Sequence, residues 1–331
     1  MIHLRFLSGP DVDGLAITNA EVIAAVEGVV DAHGRGLTVF EPRTHLVPDN
    51  GGAGHFNILR GYVAPLGLAG VKVVGDFVPN YRLGLPSELA LMTVFDPTTG
   101  VPLAIMDATL ITEVRTGAMT AVGAKHLARP DARVLGHVGA RGTAFANVTM
   151  LDSLFPLGEI RVTSRRPESR EAFAARLREV TGTPVRAVAT ADEAFDQADI
   201  LVEASRLEKP TPLLRTASVR PGAFVVPYGT VSAVELDLLD VMDKVVVDDW
   251  GQATVGPLGA LRRHVDSGRL GRHNLHAELG EIVAGRAPGR ERPEERTLFW
   301  HRGLATTDLA VASLLLRRAA SAGLGTVLRY R

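Results

Sequence analysis

A glycine-spaced turn in the middle of the chain could hold a dinucleotide. Gly136 lies near the end of an apolar run, residues 132–138, Gly139 and Gly142 follow it, and a helix-like stretch begins at Ala144. Glycines permit a tight turn, and the N–H groups at the start of a helix bind phosphates. The alternative is a structural turn between a strand and a helix. The spacing can be counted from Gly139 to Ala144, or from Gly136 through Gly139 to Gly142. In both cases Arg141 lies in the turn, where its side chain contacts the pyrophosphate or points away from it.

Two basic residues follow the next predicted strand, residues 159–164. In dinucleotide-binding folds this position faces the adenosine ribose, where an acidic residue suits NAD and a basic one suits the 2′-phosphate of NADP. Here the chain reads Ser164-Arg165-Arg166, without a carboxylate. The pattern favours NADP(H), with NAD(H) as the alternative cofactor. In the other interpretation, the arginines form a solvated helix start and pair with Glu168.

A lysine and an arginine on neighbouring predicted strands could act on a substrate. Lys72 lies in an otherwise apolar strand, and burial of its ammonium group would lower its pKa, which suits a proton donor or a base. The alternative is an edge-strand lysine that faces water. His55 and Arg60, on the preceding strand, point to opposite faces because they are five residues apart. Arg60 could bind a carboxylate group if it faces a cavity, or it could simply lie exposed.

We predict no metal site. His264, His273 and His276 lie close together in the sequence, but no carboxylate residue accompanies them at the spacing of a metal site. Asp248 and Asp249 follow an apolar strand, where a loop or helix cap is the more common role.

The elements that must position these residues change character along the chain. Residues 2–7, 37–47, 55–63, 68–77, 89–95 and 102–106 are strand-like, with helices predicted at 19–33 (Asn19 as cap) and 109–127. Further strands are predicted at 133–138, 159–164, 185–190, 200–204, 223–226 and 244–248, with later helices at 278–285 and 307–320 and a surface loop at 288–295. The first set predicts mainly antiparallel pairing. The second alternates with helices and predicts a parallel sheet.

The composition is that of an ordinary globular protein. The chain has 331 residues, 46% hydrophobic and 22% charged, with a net charge of −1 and no cysteine. This excludes disulfides and cysteine nucleophiles, and it gives no support to a nucleic-acid partner. The sequence shows neither a signal-peptide pattern nor a membrane-length apolar run. We therefore expect a cytoplasmic protein that binds neither nucleic acid nor membrane.

The order of several short segments before and after the glycine turn indicates a resemblance to known proteins. They are residues 69–75 (AGVKVVG), 83–87 (LGLPS), 103–109 (LAIMDAT), 113–118 (EVRTGA) and 303–310 (GLATTDLA). Together they resemble the ornithine cyclodeaminase/mu-crystallin family, over nearly the whole chain. That family includes lyases that release ammonia from ornithine, NAD(P)-dependent amino-acid dehydrogenases, imine and ketimine reductases, and a thyroid-hormone-binding lens protein.

The resemblance implies an α/β architecture with two domains. A Rossmann-type, doubly wound parallel sheet would be inserted into a mainly antiparallel α+β domain for substrate binding and dimerisation. The implied boundaries are 1–118 plus 306–331 for the substrate-binding and dimerisation domain, and 119–305 for the dinucleotide-binding domain. A homodimer is also implied.

The resemblance further implies roles for individual residues. Arg43 and Arg115 match the arginines that hold the substrate α-carboxylate, a role that suits planar guanidinium groups. Salt bridges at the surface or between domains are the alternative. Lys72 matches the key residue of its segment. Asp308 is expected near the nicotinamide, with helix capping as the alternative.

One departure from the family pattern decides between reactions. Ornithine cyclodeaminases carry an aspartate a few residues before a Glu-Leu pair, but residues 227–234 (PYGTVSAV) contain no carboxylate before Glu235. Without a group that handles a distal amine, ornithine deamination is disfavoured. We predict NAD(P)H-dependent reduction of a 2-imino acid, or the reverse amino-acid dehydrogenation. If Arg60 holds a second carboxylate, the substrate is dicarboxylic, such as iminosuccinate. A cyclodeaminase-type lyase and a non-enzymatic NADP-dependent binder are the alternatives.

The predicted site thus has three parts. The catalytic residues are Lys72, Arg43, Arg115 and Asp308, and the further substrate-binding residues are Arg60, Asn80 and Tyr81. The cofactor-binding residues are Thr116, Gly139, Ala140, Arg141, Gly142, Thr143, Ser164, Arg165, Arg166, Ala204, Ser205, Tyr228 and Gly229.

Overall fold

The chain folds into two compact units. A computed structural model describes residues 1–49, 54–207, 209–229 and 231–331, apart from the Tyr81 side chain. The first unit comprises Met1–Arg115 with Gly303–Arg331, and the second is Thr116–Arg302. That the first unit binds substrate and the second a dinucleotide, with the domain boundaries given above, stays a prediction.

The first unit is built on a mixed sheet in the strand order β16-β1-β7-β6-β5-β4-β2, with β3 also paired to β4. Its strands are β1 (His3–Leu7), β2 (Thr38–Phe40), β3 (Thr44–Leu46), β4 (His55–Val63), β5 (Leu68–Asp76), β6 (Glu88–Phe95), β7 (Pro102–Asp107) and β16 (Thr326–Arg329). Its helices are α1 (Gly9–Gly14), α2 (Asn19–Gly34) and α10 (Ala305–Ala322), and α3 (Thr109–Leu127) begins in this unit. The pairing is antiparallel except between β1 and β7.

Two glycines let helix α10 lie close to the sheet. A Cβ atom at Gly70 of β5 would lie 2.9 Å from Leu309 Cδ2, and one at Gly61 of β4 would lie 3.3 Å from Ala305 Cβ. Real Cβ atoms essentially never come within 3.0 Å of another heavy atom, so a side chain at Gly70 would require the Leu309 side chain and the Thr93 backbone to shift. The small strand residues therefore allow the close contact of α10 with β4 and β5.

The second unit contains a parallel sheet in the order β10-β9-β8-β11-β12-β15-β13-β14. Its strands are β8 (Val134–Val138), β9 (Glu159–Thr163), β10 (Val185–Ala187), β11 (Ile200–Glu203), β12 (Phe224–Pro227), β13 (Lys244–Val247), β14 (Ala277–Glu278) and β15 (Thr297–Trp300). Its helices are α4 (Ala144–Leu154), α5 (Pro167–Arg178), α6 (Ala191–Phe195), α7 (Trp250–Thr254), α8 (Arg262–Asp266) and α9 (Leu279–Val283). The central strands are buried along their whole length, as expected for a parallel sheet.

Most predicted elements are found, and the differences have local causes. Helix α2 is capped by Thr18 rather than Asn19. The Thr18 side chain accepts a hydrogen bond from the Glu21 backbone N–H, and the Glu21 carboxylate accepts one from the Thr18 backbone N–H. The predicted strand 37–47 is two strands, β2 and β3. The polar segment 288–295 is not all surface, because Glu295 is buried. In the part of the chain that the structure describes, no helix has the length and apolarity that crossing a membrane requires.

Three strands were not predicted from the sequence: β14, β15 and β16. Strand β14 has only two residues, which is too short for a period to show. Strand β15 is a fully buried four-residue run directly after a charged segment. Strand β16 is exposed along its length and pairs with β1, so it depends on a partner at the other end of the chain.

Candidate active site and dinucleotide cradle

Lys72 is buried in the first unit, on the face of the sheet that α10 covers. It lies on β5 opposite Leu59 of β4 and Met92 of β6, both of which are also buried. Its Nζ donates to Asp308 Oδ1 at 2.6 Å and to Thr112 Oγ1 at 3.0 Å. Burial lowers the pKa of Lys72 to about 7, with the Asp308 carboxylate acting in the opposite direction.

Asp308 connects the lysine to an arginine. Its Oδ1 is also 2.9 Å from Arg115 Nε, so a single carboxylate oxygen contacts both cations. Asp308 lies within the first turn of α10, where the helix dipole stabilises a negative charge, and it is fully buried. The N-cap position is Leu304, so capping is not the role of Asp308.

The two predicted carboxylate-binding arginines reach the same short segment of chain. Arg115 comes from α3 and is buried, and Arg43 precedes β3 and is half-buried. Arg43 Nη2 donates to the Gly303 carbonyl at 3.3 Å. The first unit thus brings the four predicted catalytic residues together. Their roles toward a substrate stay predictions.

Two of the predicted substrate-binding residues, Arg60 and Asn80, have contacts outside this group. Arg60 pairs with Val71, the neighbour of Lys72, so its side chain lies on the opposite sheet face, where it contacts Glu41. Asn80 lies in a short 3-10 helix, and its Nδ2 donates to the Pro86 carbonyl at 3.0 Å. The side chain of Tyr81 lies outside the described part of the structure.

The glycine turn of the second unit has the backbone shape that the sequence predicts. Gly139 and Gly142 have φ of +117° and +55°, the left-handed region that favours glycine. A Cβ at Gly139 would lie 2.7 Å from the Ala204 carbonyl, whereas one at Gly142 would meet nothing within 4 Å. Gly136 is different, because a Cβ there would collide with the Ala194 carbonyl. The left-handed glycines of the turn are therefore Gly139 and Gly142, with Arg141 exposed between them.

A buried histidine supports this turn from inside the sheet. His137 Nδ1 lies 3.0 Å from the Gly139 carbonyl, which requires the proton to be on Nδ1. Burial lowers the pKa of His137 to about 4, so the ring stays neutral and serves as a fixed donor.

A second group of contacts ties the turn to the loop after β12. Tyr228 Oη lies 2.7 Å from Thr143 Oγ1, and Asn147 Nδ2 of α4 donates to it at 2.5 Å. The Tyr228 ring stacks on His301, whose Nε2 is 3.0 Å from Thr120 Oγ1 of α3. The predicted cofactor residues Thr143 and Tyr228 are thus in direct contact.

Glu203 is the last residue of β11. It lies beside three residues predicted to bind the cofactor, Ala204, Ser205 and Gly229. Its Oε1 accepts from the Ser205 backbone N–H at 2.8 Å and from Ser205 Oγ at 2.5 Å. A Cβ at Gly229 would lie 2.6 Å from Oε2, which is buried. Burial raises the pKa of Glu203 to about 7.

The remaining predicted cofactor residues lie at two other places. Ser164 is half-buried and Arg165 and Arg166 are exposed, between the end of β9 and the first residue of α5. Ala140 lies in the glycine turn, and Thr116 is buried within α3.

Sequence reasoning missed several residues of these clusters. Glu203 had a usable signal, since it is an acidic residue that ends the apolar run Ile200–Val202. His137 lay in the glycine turn but was not assigned a role. Thr112, Asn147 and His301 had none, because each becomes significant only through a contact with a distant residue.

Known proteins resemble this chain over its whole length. The model of the ornithine cyclodeaminase/mu-crystallin family matches residues 5–323. An alanine dehydrogenase of Archaeoglobus fulgidus is 33% identical over 328 residues, which cover 98% of each chain. A solved archaeal alanine dehydrogenase dimer with bound NAD has a TM-score of 0.90 and 30% identity, with 100% of each chain covered. A Delta(1)-pyrroline-2-carboxylate reductase of Thermococcus litoralis, in complex with NADH and L-proline, has a TM-score of 0.90 and 30% identity over 98% of this chain and 99% of that one. The predicted fold class is confirmed.

Proposed function

Since the chain belongs to the ornithine cyclodeaminase/mu-crystallin family, we propose that it reduces the C=N bond of a 2-imino acid with NAD(P)H. The product is an amino acid, and the reverse reaction is an amino-acid dehydrogenation. The observation that carries the proposal is the buried contact of Lys72 with Asp308, next to Arg115, in the first unit. A lysine in such surroundings serves proton transfer better than it serves stability.

The hydrogen bonds of Lys72 leave one position on Nζ for a substrate. Thr112 Oγ1 donates to the Ala108 carbonyl at 2.9 Å, so it can only accept from Lys72. Asp308 Oδ1 accepts a second proton of the ammonium group. The third proton of a charged lysine is the one that we assign to the imine nitrogen, and the lone pair of the neutral lysine takes it back in the reverse reaction.

The arginines supply the binding of the substrate carboxylate. Arg115 contacts Asp308 through Nε, so the carboxylate is assigned to its terminal Nη groups, in the planar geometry that suits bidentate pairing. Arg43 is the second donor. Asp308 orients both Lys72 and Arg115 through one oxygen, and it offsets the repulsion between the two cations.

The second unit offers a cradle that fits a dinucleotide. The left-handed Gly139 and Gly142 and the start of α4 present backbone N–H groups for phosphates, and the space at Gly142 is open. When bound, the nicotinamide supplies the hydride that adds to the imine carbon. Arg165 and Arg166 are placed after β9, where the 2′-phosphate of NADP(H) is recognised, so we propose NADP(H) as the preferred cofactor and NAD(H) as the alternative.

We propose a substrate with a single carboxylate. Arg60, the residue predicted to hold a second one, contacts Glu41 and lies on the sheet face opposite Lys72. Iminosuccinate is therefore the less favoured alternative, and small aliphatic or cyclic 2-imino acids are the favoured class.

A panel of imines tests the proposal. Purified protein is mixed with NADPH or NADH and with Delta(1)-pyrroline-2-carboxylate, iminosuccinate, or pyruvate with ammonia or methylamine, and the cofactor absorbance is followed. We expect stoichiometric consumption of the reduced cofactor, together with reduction of NAD(P)+ by the matching amino acid. No turnover of any imino or amino acid would refute the proposal. Ammonia release from ornithine without net cofactor consumption would establish the lyase instead.

A further inference from the structure

Gly303, the first residue of the second segment of the first unit, lies against the guanidinium group of Arg115. A Cβ atom at this position would overlap Arg115 Nη1, would lie 2.7 Å from Cζ and would lie 3.2 Å from Nη2. Because real Cβ atoms essentially never come within 3.0 Å of another heavy atom, no side chain fits unless the guanidinium moves. Gly303 also has φ of +84°, which favours glycine on backbone grounds alone.

The same residue contacts the second arginine through its backbone. The Gly303 carbonyl accepts from Arg43 Nη2 at 3.3 Å. One glycine therefore limits the position of Arg115 by its missing side chain and holds Arg43 by its carbonyl oxygen. The arginines come from separate elements, one from α3 and one from the segment before β3, and Gly303 contacts both.

Arg115 cannot move freely to make room at position 303. Its Nε lies 2.9 Å from Asp308 Oδ1, and that oxygen also accepts from Lys72. A displaced guanidinium would weaken the contact between Arg115 and Asp308. Asp308 would then be held less firmly beside Lys72. The consequence of a side chain at Gly303 would therefore extend from carboxylate binding to the proton-transfer group.

We propose that Gly303 is a positioning residue for the substrate carboxylate, acting through Arg115 and Arg43. This inference rests on the proposed function, since it takes the two arginines to be the carboxylate-binding groups. Its competitor is a local structural role, in which Gly303 only provides the left-handed residue from which the chain enters α10.

A matched glycine separates the two roles. Gly100, in the turn between β6 and β7, has φ of +72°, and a Cβ atom there would meet nothing within 4 Å, so Gly100→Ala imposes backbone strain without displacing a neighbour. We expect Gly303→Ala to raise KM for the 2-imino acid by about tenfold or more, which corresponds to roughly 1.4 kcal/mol. The Kd of the reduced cofactor should be the same in both variants. Equal effects of the two substitutions on KM would overturn the proposal.

A double-mutant cycle tests whether Gly303 acts through Arg115. In an Arg115→Ala background the obstructing guanidinium is absent, so adding Gly303→Ala should change kcat/KM by less than about twofold, against about tenfold in the wild type. A loss by the same factor in both backgrounds would show that Gly303 acts independently of Arg115, and would refute the proposal.

A failure of the proposed function would be recognised separately. It would show as a wild-type protein that turns over no imino acid, whatever occupies position 303. In that case pyruvate serves as a carboxylate probe, and its binding is measured calorimetrically. Weaker pyruvate binding in Gly303→Ala than in Gly100→Ala would support the positioning role without any turnover, and unchanged binding would overturn it.

Discussion

Lys72 has a charge that the interior of the first unit would not accommodate alone. It is 1% exposed, and its contacts are one carboxylate and one hydroxyl. Its pKa is lowered to about 7 because desolvation and the nearby arginines outweigh the attraction of Asp308. The lysine can therefore change its protonation state near neutral pH, where a group that both gives and takes a proton is most effective.

The two reaction directions should depend on pH in opposite ways. Imine reduction needs protonated Lys72, so its kcat/KM should fall as the pH rises through about 7, the pKa of this lysine. Amino-acid oxidation needs the neutral lysine and should rise over the same interval. Steady-state kinetics in both directions, on either side of this value, test the assignment. Profiles that bend in the same direction would contradict it.

Removal of the amine should abolish the chemistry and leave the cofactor bound. Lys72→Met keeps the length of an apolar side chain, and we expect kcat to fall by about 100-fold or more, the usual contribution of a general acid or base. Titration with NADPH should give an unchanged Kd. Lys125→Met, at an exposed position of α3, is the control and should retain activity. Full activity of Lys72→Met would remove this lysine from the mechanism.

At the scale of elements, several residues predicted to bind the cofactor follow strand ends of the second unit. Strand β11 ends at Glu203, β9 is followed by the arginine pair, and β12 leads into Tyr228. In a parallel sheet these carboxyl ends share one edge, so short loops from several strands form one cradle. Glu203 joins two of these loops, since it accepts from Ser205 and lies against Gly229.

Glu203 should make the stability of the fold depend on pH. Its pKa is raised from 4.5 to about 7, so between these pH values the folded protein binds more protons than the unfolded chain. The contribution of Glu203 to the free energy of unfolding therefore falls as the pH rises from 4.5 to about 7. The largest effect is about 3 kcal/mol. Denaturant unfolding of Glu203→Gln should lack this decline, whereas Glu171→Gln, at an exposed position of α5, should keep it. A parallel pH dependence in wild type and Glu203→Gln would refute the assignment.

The loop after β9 should determine cofactor preference. We expect Arg165→Ser with Arg166→Ser to lower kcat/KM for NADPH by about tenfold, because the 2′-phosphate loses its charged partners, and to leave the value for NADH unchanged. Arg186→Ser, at an exposed arginine of β10, is the control. An equal loss with both cofactors would show that the arginines do not read the 2′-phosphate.

At the scale of the whole molecule, the first unit exposes a small group of apolar side chains on one sheet face. On the side of the sheet opposite Lys72, Val73 of β5 lies directly beside Leu91 of β6, and they are 37% and 50% exposed. Leu89, two residues along β6, is 45% exposed. Adjacent exposed apolar side chains on a sheet face are typical of a surface that another protein covers. In the homodimer that the family resemblance implies, a second copy of the chain would cover that face.

A charge on this face should prevent dimerisation. Leu91→Glu would place a carboxylate in the buried centre of the expected interface, where an unpaired charge is costly. Sedimentation velocity should give a dimer for the wild type and a monomer for the variant at the same concentration. Val180→Glu alters an equally apolar residue of the second unit, 59% exposed, and should leave the dimer intact. A dimeric Leu91→Glu variant would place the interface elsewhere.

Local features of this protein were readable from the sequence. The bounds of α3 and β4 and the alternation of strands and helices after β8 follow from hydrophobic period and turn residues, which act over a few neighbours. The glycine turn was readable for the same reason, because a left-handed backbone needs glycine wherever it occurs.

The meeting of Lys72, Arg115 and Asp308 was decided by tertiary structure. Lys72 and Asp308 are 236 residues apart, and their contact exists because α10 packs closely on glycines of β4 and β5. Sequence spacing has no bearing on such a contact, which depends on the height and rotation of a helix above a sheet. The same holds for Arg60, whose residue type suggested a carboxylate partner but whose strand register turned it to the opposite face.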